Sequence, residues 1–81
     1  MKKGAEEIIL LKLTRLSCMI MKVHNWHVLS GTTFVDTHTA NVLILENLIS
    51  NPSAITKKDL EWANTEYRYY IGIVRQHNIE L

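Results

Sequence analysis

The sequence predicts an all-α protein, a three-helix antiparallel bundle, on the basis of three observations. The 81 residues contain a single proline, Pro52, and three glycines, and these helix breakers divide the chain into three blocks. Within each block the apolar residues recur at steps of three and four, which is the period of a helix. No block reads as a strand. The predicted helices cover about residues 5–28, 35–50 and 57–77 of a single domain, 1–81.

The first block carries the clearest helical stripe. Its members follow one another at alternating steps of four and three: Ile9, Leu13, Leu16, Ile20, Val23 and His27. A second apolar edge holds Ile8, Met19 and Trp26. This helix is therefore apolar over more than half of its girth, and such a helix needs neighbours on two sides.

The second block ends where Pro52 disfavours a helical conformation at Asn51. Its predicted buried face consists of Phe34, His38, Asn41, Val42, Leu45, Leu48 and Ile49. His38 lies in the middle of this apolar face, where an imidazole needs a polar partner. Because the first two helices meet at the Gly31 loop, the simplest partner is His27, directly or through a metal or water.

The third block begins with a capping-box pattern, in which Thr56 precedes Asp59 by three residues. Its predicted buried stripe consists of Leu60, Ala63, Tyr67, Tyr70, Ile71 and Val74. Trp62, Tyr69 and Ile73 form a second apolar edge, as in the first block.

The second apolar edges predict association with another molecule. Their members are Ile8, Met19, Trp26, Trp62, Tyr69 and Ile73. A chain of this length buries only about 60–65% of its unfolded surface, so its own core is small. We expect a homo-oligomer, a dimer or larger, in which these edges are covered. The alternative is a non-catalytic module, an inhibitor or adaptor, that binds another protein through the same edges.

All the histidines are predicted at one end of the bundle. Short connections make successive helices antiparallel, so the end of the first helix meets the start of the second and the end of the third. This arrangement brings together His24, His27, Asp36, His38 and His77. Imidazoles with a carboxylate suit zinc or iron. His27 and His38 are the primary candidate ligands, and the other three residues are candidate helpers. The alternative is that His27 and His38 are core histidines with polar partners.

The segment around the first connection resembles a known family signature. Lys22, Val23, His24, Asn25, Trp26 and His27 are followed by Gly31, Phe34 and His38. This order is similar to the first-loop signature of the Dps family, the starvation-induced mini-ferritins. The likeness covers about residues 13–49 and implies a ferritin-like helix pair. It also implies that His27 and His38 match two ligands of an inter-subunit ferroxidase site.

The chain departs from the Dps pattern at several positions. Val42 stands where the family has a carboxylate, and the carboxylates of the next helix have no clear match. The resemblance therefore implies either a helix pair with a histidine-rich metal site or the helix-pair architecture alone, rather than the complete ferroxidase site. A short relative of this kind would be consistent with a phage or plasmid protein.

Composition excludes several other classes of function. The formal net charge of +1 provides no basic face for DNA, which we do not expect as a partner. Lys12, Arg15 and Lys22 interrupt the longest apolar run, so no membrane span is expected. Cys18 is the single cysteine, which rules out a disulfide framework and suits a cytoplasmic protein. No phosphate-binding loop or nucleophilic triad is present.

Overall fold

The fold consists of three helices joined by short connections. The structure is a computed structural model that describes residues 3–31 and 35–81. Helix α1 spans Lys3–Leu29, α2 spans Val35–Ser50, and α3 spans Lys57–His77. A short 3-10 helix, Pro52–Ala54, precedes α3. The all-helical prediction is confirmed, and the helices begin and end within two residues of the predicted bounds. Phe34 lies outside the described residues.

The core follows the predicted stripes. The large side chains with the least exposure are Leu13, Leu16, Ile20, Val23, Leu45 and Tyr70. Val42, Ala63 and Val74 complete the buried apolar set together with Met19, and His38 is buried among them at 3% exposure. Each of the three helices therefore contributes one face to a common core, as the period of three and four requires.

Two predicted positions are corrected by the structure. We placed Met19 on the outer edge of the first helix, but it is only 3% exposed and belongs to the core. It is covered because α3 packs along that side of α1, where Met19 lines a groove with Tyr67 and Ile71. Tyr67, predicted in the buried stripe of α3, is 49% exposed. Its large ring borders this groove instead of entering the core.

The start of α3 is built as the sequence predicts. The Asp59 backbone N–H donates to the Thr56 hydroxyl at 3.2 Å, and the Thr56 N–H donates to the Asp59 carboxylate at 2.8 Å. These reciprocal bonds satisfy two backbone donors that a helix start leaves free. Asn78 closes α3 in the left-handed conformation, at φ 52°. Both ends of α3 are thus fixed by local contacts.

Helix α1 sets the length of the molecule. Its 27 residues rise about 40 Å at 1.5 Å per residue, close to the 42 Å long axis of the fold. Both α2 and α3 pack against α1. None of the helices in the described residues combines the length and the apolar character needed to span a bilayer.

Candidate functional site

Two histidines meet where α1 ends and α2 begins. His27 Nδ1 and His38 Nε2 lie 2.8 Å apart, a hydrogen-bonding distance. The two rings are nearly parallel, with an angle of 10° between their planes. Two imidazole nitrogens bound to one tetrahedral zinc ion would lie about 3.3 Å apart, given metal–nitrogen distances of about 2.0–2.1 Å. The two rings are therefore in direct hydrogen-bonding contact, closer than two nitrogen ligands of one zinc ion would lie.

Helix α3 provides the second partner of His38. His38 Nδ1 lies 2.7 Å from the Tyr70 hydroxyl, so both ring nitrogens of His38 are engaged. The Asn41 amide donates to the same hydroxyl at 3.0 Å and, at 3.4 Å, to the Glu66 carboxylate. We call this set of five residues the histidine–tyrosine network. It joins all three helices through polar side chains.

Burial determines the protonation of the network. It lowers the pKa of His38 below its ordinary value of 6.5, and the neighbouring His27 and His24 imidazoles lower it further. Burial also raises the pKa of Tyr70 above its ordinary value of 10.0. The hydrogen bond from Asn41 opposes that rise, whereas the charge of Glu66 adds to it. Both His38 and Tyr70 are therefore neutral at physiological pH.

His24 stands beside the network without joining it. Its ring centroid is 6.4 Å from that of His38, and the rings meet edge to face. His24 Nδ1 is buried and has no hydrogen-bond partner among the described residues. An unpaired buried nitrogen costs free energy, because it loses water and gains nothing in exchange. This atom is the unsatisfied polar group of the site.

The other predicted site residues are more peripheral. His77 is exposed and stacks on Trp26, with ring centroids 4.2 Å apart. Asp36 is exposed in the first turn of α2. Among residues 3–31 and 35–81, no group of three or more His, Cys, Asp or Glu side chains is arranged to hold a metal ion. The structure brings His24, His27 and His38 together, but Asp36 and His77 do not complete a ligand set.

The sequence did not identify the partners that α3 provides. Tyr70 was assigned to the buried stripe, and Asn41 to the buried face of α2, without a partner for either. Glu66 belongs to neither the predicted buried stripe nor the second apolar edge of the third block. The signal was nevertheless present, because a tyrosine in the middle of an apolar stripe needs a partner for its hydroxyl. His38 and Asn41, one turn apart on the facing helix, are the groups that supply it.

The predicted outer edges differ in exposure. Ile8 is 58% exposed and Tyr69 is 61% exposed, whereas Trp62 and Ile73 are half-buried against the core. Trp26 is half-buried under His77.

Comparison of the chain with protein-family models, curated proteins and solved structures finds no match.

Proposed function

We propose that this chain is a self-associating helical module whose copies cover one another's apolar surfaces. The observation that carries the proposal is the number of large apolar side chains that are exposed to solvent on each of the three helices. Exposed members include Ile8, Leu11, Met21, Val28, Leu29, Leu43, Ile44, Tyr67 and Tyr69. Single exposed apolar residues are ordinary, but many of them on so small a chain are typical of an interaction surface.

Core size supports the same proposal. Among the residues that the structure describes, the largest fully buried side chains are the six named above, and the fold extends over 42 Å along its long axis. A small chain with a narrow core gains stability when a second copy buries further apolar area, at about 25 cal/mol per Å². Self-association therefore supplies stability that the single chain lacks.

The arrangement of α1 and α2 relative to each other is part of the same proposal. We infer an antiparallel, ferritin-like helix pair for α1 and α2. In its support, His27 near the end of α1 contacts His38 near the start of α2, across a short connection. Such a pair is half of a four-helix bundle, and association would provide the remaining helices.

The mass of the protein in solution tests the proposal. We expect a mass of at least twice 9.4 kDa at micromolar concentration, with dissociation on dilution. Tyr67→Glu should shift the equilibrium towards the monomer, because burying an unpaired charge costs several kcal/mol. Thr65→Glu is the matched control on the same helix, at an exposed polar position. A mass of 9.4 kDa at every concentration would refute self-association.

A second candidate function, transition-metal binding, is favoured by the unpaired nitrogen of His24. In this proposal His24 and His27 bind zinc or ferrous ion, and His38 orients His27 from behind. Further ligands would come from water or from another molecule, because the described residues of one chain offer no set of three. When bound, the ion supplies a fixed positive charge and Lewis acidity.

Thermal unfolding with and without added metal tests this second function. A hundredfold excess over the dissociation constant should stabilise the protein by about 2.7 kcal/mol. His24→Ala should abolish the shift, whereas His77→Ala should retain it, since His77 stacks on Trp26 outside the cluster. An unchanged melting temperature from pH 6 to 8 would leave the histidines with a structural role alone.

A further inference from the structure

The outer face of α1 carries a projecting side chain and a matching groove. Leu11 projects from the face and is 51% exposed. Seven residues later, an open groove of about 340 Å³ lies beside Cys18. Its apolar lining residues include Met19, Ile71 and Leu81. Leu11 and Cys18 are about 10.5 Å apart along the same helix, and Leu11 does not line the groove of its own chain.

A two-fold axis would bring each projection to the other copy's groove. When two copies of α1 pack antiparallel about a point between Thr14 and Arg15, Leu11 of each copy faces Cys18 of the other. The contact is then isologous and closed, since the same pair forms twice. Parallel packing would instead place the two Leu11 side chains together and leave both grooves open.

Charge on the same face selects the same arrangement. Glu7 lies one turn before Leu11, and Lys22 lies one turn after Cys18, and both are exposed. The antiparallel pairing that joins Leu11 to Cys18 also places each Glu7 opposite Lys22 of the other copy. Parallel pairing would place like charges together, which is unfavourable. The pairing of Glu7 with Lys22 therefore forms in the antiparallel orientation and not in the parallel one.

We propose that a second copy of this chain docks on this face, with its α1 antiparallel and the two-fold axis between Thr14 and Arg15. The proposal rests on the self-association proposed above and names the surface and its register. Leu11 enters the groove beside the other copy's Cys18, and Glu7 pairs with Lys22 at each end. The interface adds contacts from α3, since Tyr67 and Ile71 also line the groove.

Disulfide trapping tests the register. In a Leu11→Cys variant that keeps Cys18, the two cysteines of one chain are about 10.5 Å apart, beyond the roughly 7 Å that a disulfide can bridge. A disulfide between them must therefore join two copies. We expect this variant to form a covalent dimer of 18.8 kDa, twice the 9.4 kDa chain, under mild oxidation. The unmodified protein should form it at least about tenfold more slowly, because its Cys18 residues lie about 10 Å apart.

The matched control is Leu43→Cys, again with Cys18 kept. Leu43 is an apolar residue of similar exposure, 55%, but it lies on α2. We expect cross-linking no faster than in the unmodified protein. Equal rates for the Leu11→Cys and Leu43→Cys variants would overturn the proposed register.

Charge reversal provides an independent test. Glu7→Lys and Lys22→Glu should each raise the dimer dissociation constant about tenfold, because two symmetry-related pairs become repulsive. The double variant should return to within about threefold of the original value, since each pair is restored with its charges exchanged. Absence of this recovery would also overturn the proposal.

The outcomes separate this inference from the function on which it rests. A protein that is monomeric at all concentrations contradicts self-association itself. A second outcome is a dimer in which Leu11→Cys does not speed cross-linking and the double charge reversal does not restore the dissociation constant. In that case self-association stands, and the proposed α1 interface is wrong. Fast cross-linking together with recovery establishes the antiparallel α1 interface.

Discussion

The connection between α2 and α3 and the histidine–tyrosine network are both polar, but they join residues at different separations along the chain. In the connection, Thr56 and Asp59 are three residues apart, and Ser53 donates to Asn51 from two residues away. In the network, His27 and His38 are 11 residues apart, and His38 and Tyr70 are 32 apart. The first set of bonds determines where a helix begins, and the second determines which helices meet.

This difference has an energetic consequence. A capping bond at the surface exchanges a water partner for a protein partner, so its loss costs about 1 kcal/mol. A buried network has no water to replace a lost partner, so its loss leaves donors or acceptors unpaired at full desolvation cost. We therefore expect substitutions in the network to have larger effects than substitutions in the connection.

The largest effect is expected from Tyr70→Phe. This change keeps the ring but removes the hydroxyl that binds both His38 and Asn41. We expect the free energy of unfolding in urea to fall by about 1–3 kcal/mol. Tyr69→Phe is the matched control, because the neighbouring ring is 61% exposed and should change stability by less than about 0.5 kcal/mol. Equal effects at the two positions would contradict a stabilising role for the network.

Acid should weaken the network next. The pKa of His38 is lowered in the folded state, so the unfolded chain binds more protons below its ordinary value of 6.5. Stability should therefore be fully present above pH 6.5 and fall as pH decreases, by up to about 1.4 kcal/mol per pH unit for this group. Urea unfolding at several pH values without added metal measures the slope. The slope should be smaller in His38→Gln, and an unchanged slope would assign the loss to other groups.

A smaller effect is expected at the connection. Thr56→Ala removes the hydroxyl that accepts the Asp59 N–H and should cost about 1 kcal/mol. Thr65→Ala serves as the control, because the Thr65 hydroxyl merely donates to the Glu61 carbonyl within the exposed part of α3. Alanine is the better helix former there, so stability should stay the same or rise slightly. Thermal unfolding of both variants measures the difference.

The smallest effect, and of opposite sign, is expected at the end of α3. Asn78 has a φ of 52°, a conformation that glycine adopts without a steric cost. Asn78→Gly should therefore raise stability slightly, by about 0.5 kcal/mol at most. Asn64→Gly, within the same helix, should lower it by a few tenths of a kcal/mol, roughly the difference in helix propensity. Melting temperatures that move in the same direction would contradict this account.

The spacing of apolar and capping residues was sufficient to predict the three helices, because where a helix begins and ends depends mainly on nearby residues. The period of three and four identified α1, α2 and α3, and the spacing of Thr56 and Asp59 identified the start of α3. The meeting of His27 and His38 was also predicted, because a short connection leaves little freedom for the ends it joins. Predicting these features does not require the position of α3 relative to α1 and α2.

Features that depend on the position of α3 were missed for that reason. Met19 is buried because α3 packs on its side of α1, and Tyr67 is half-exposed because the groove there is open. The bond between Tyr70 and His38 depends on how far α3 is shifted along its axis relative to α2. The two bonded residues are 32 apart in the chain. A helical period gives the face of a residue, but it does not give the axial shift between helices.

The geometry of the Tyr70 hydroxyl gives the histidine–tyrosine network a polarity. Asn41 donates to its oxygen, and when the hydroxyl hydrogen in turn donates to His38 Nδ1, the bonds run in one direction. A neutral imidazole carries one hydrogen, so His38 then donates from Nε2 to His27 Nδ1. His27 is left with its hydrogen on Nε2 and presents a donor, not a lone pair. For this nitrogen to offer a lone pair to a cation, His27 would carry its hydrogen on Nδ1 and donate to His38, His38 would donate from Nδ1 to the Tyr70 oxygen, and the Tyr70 hydroxyl hydrogen would turn away from His38.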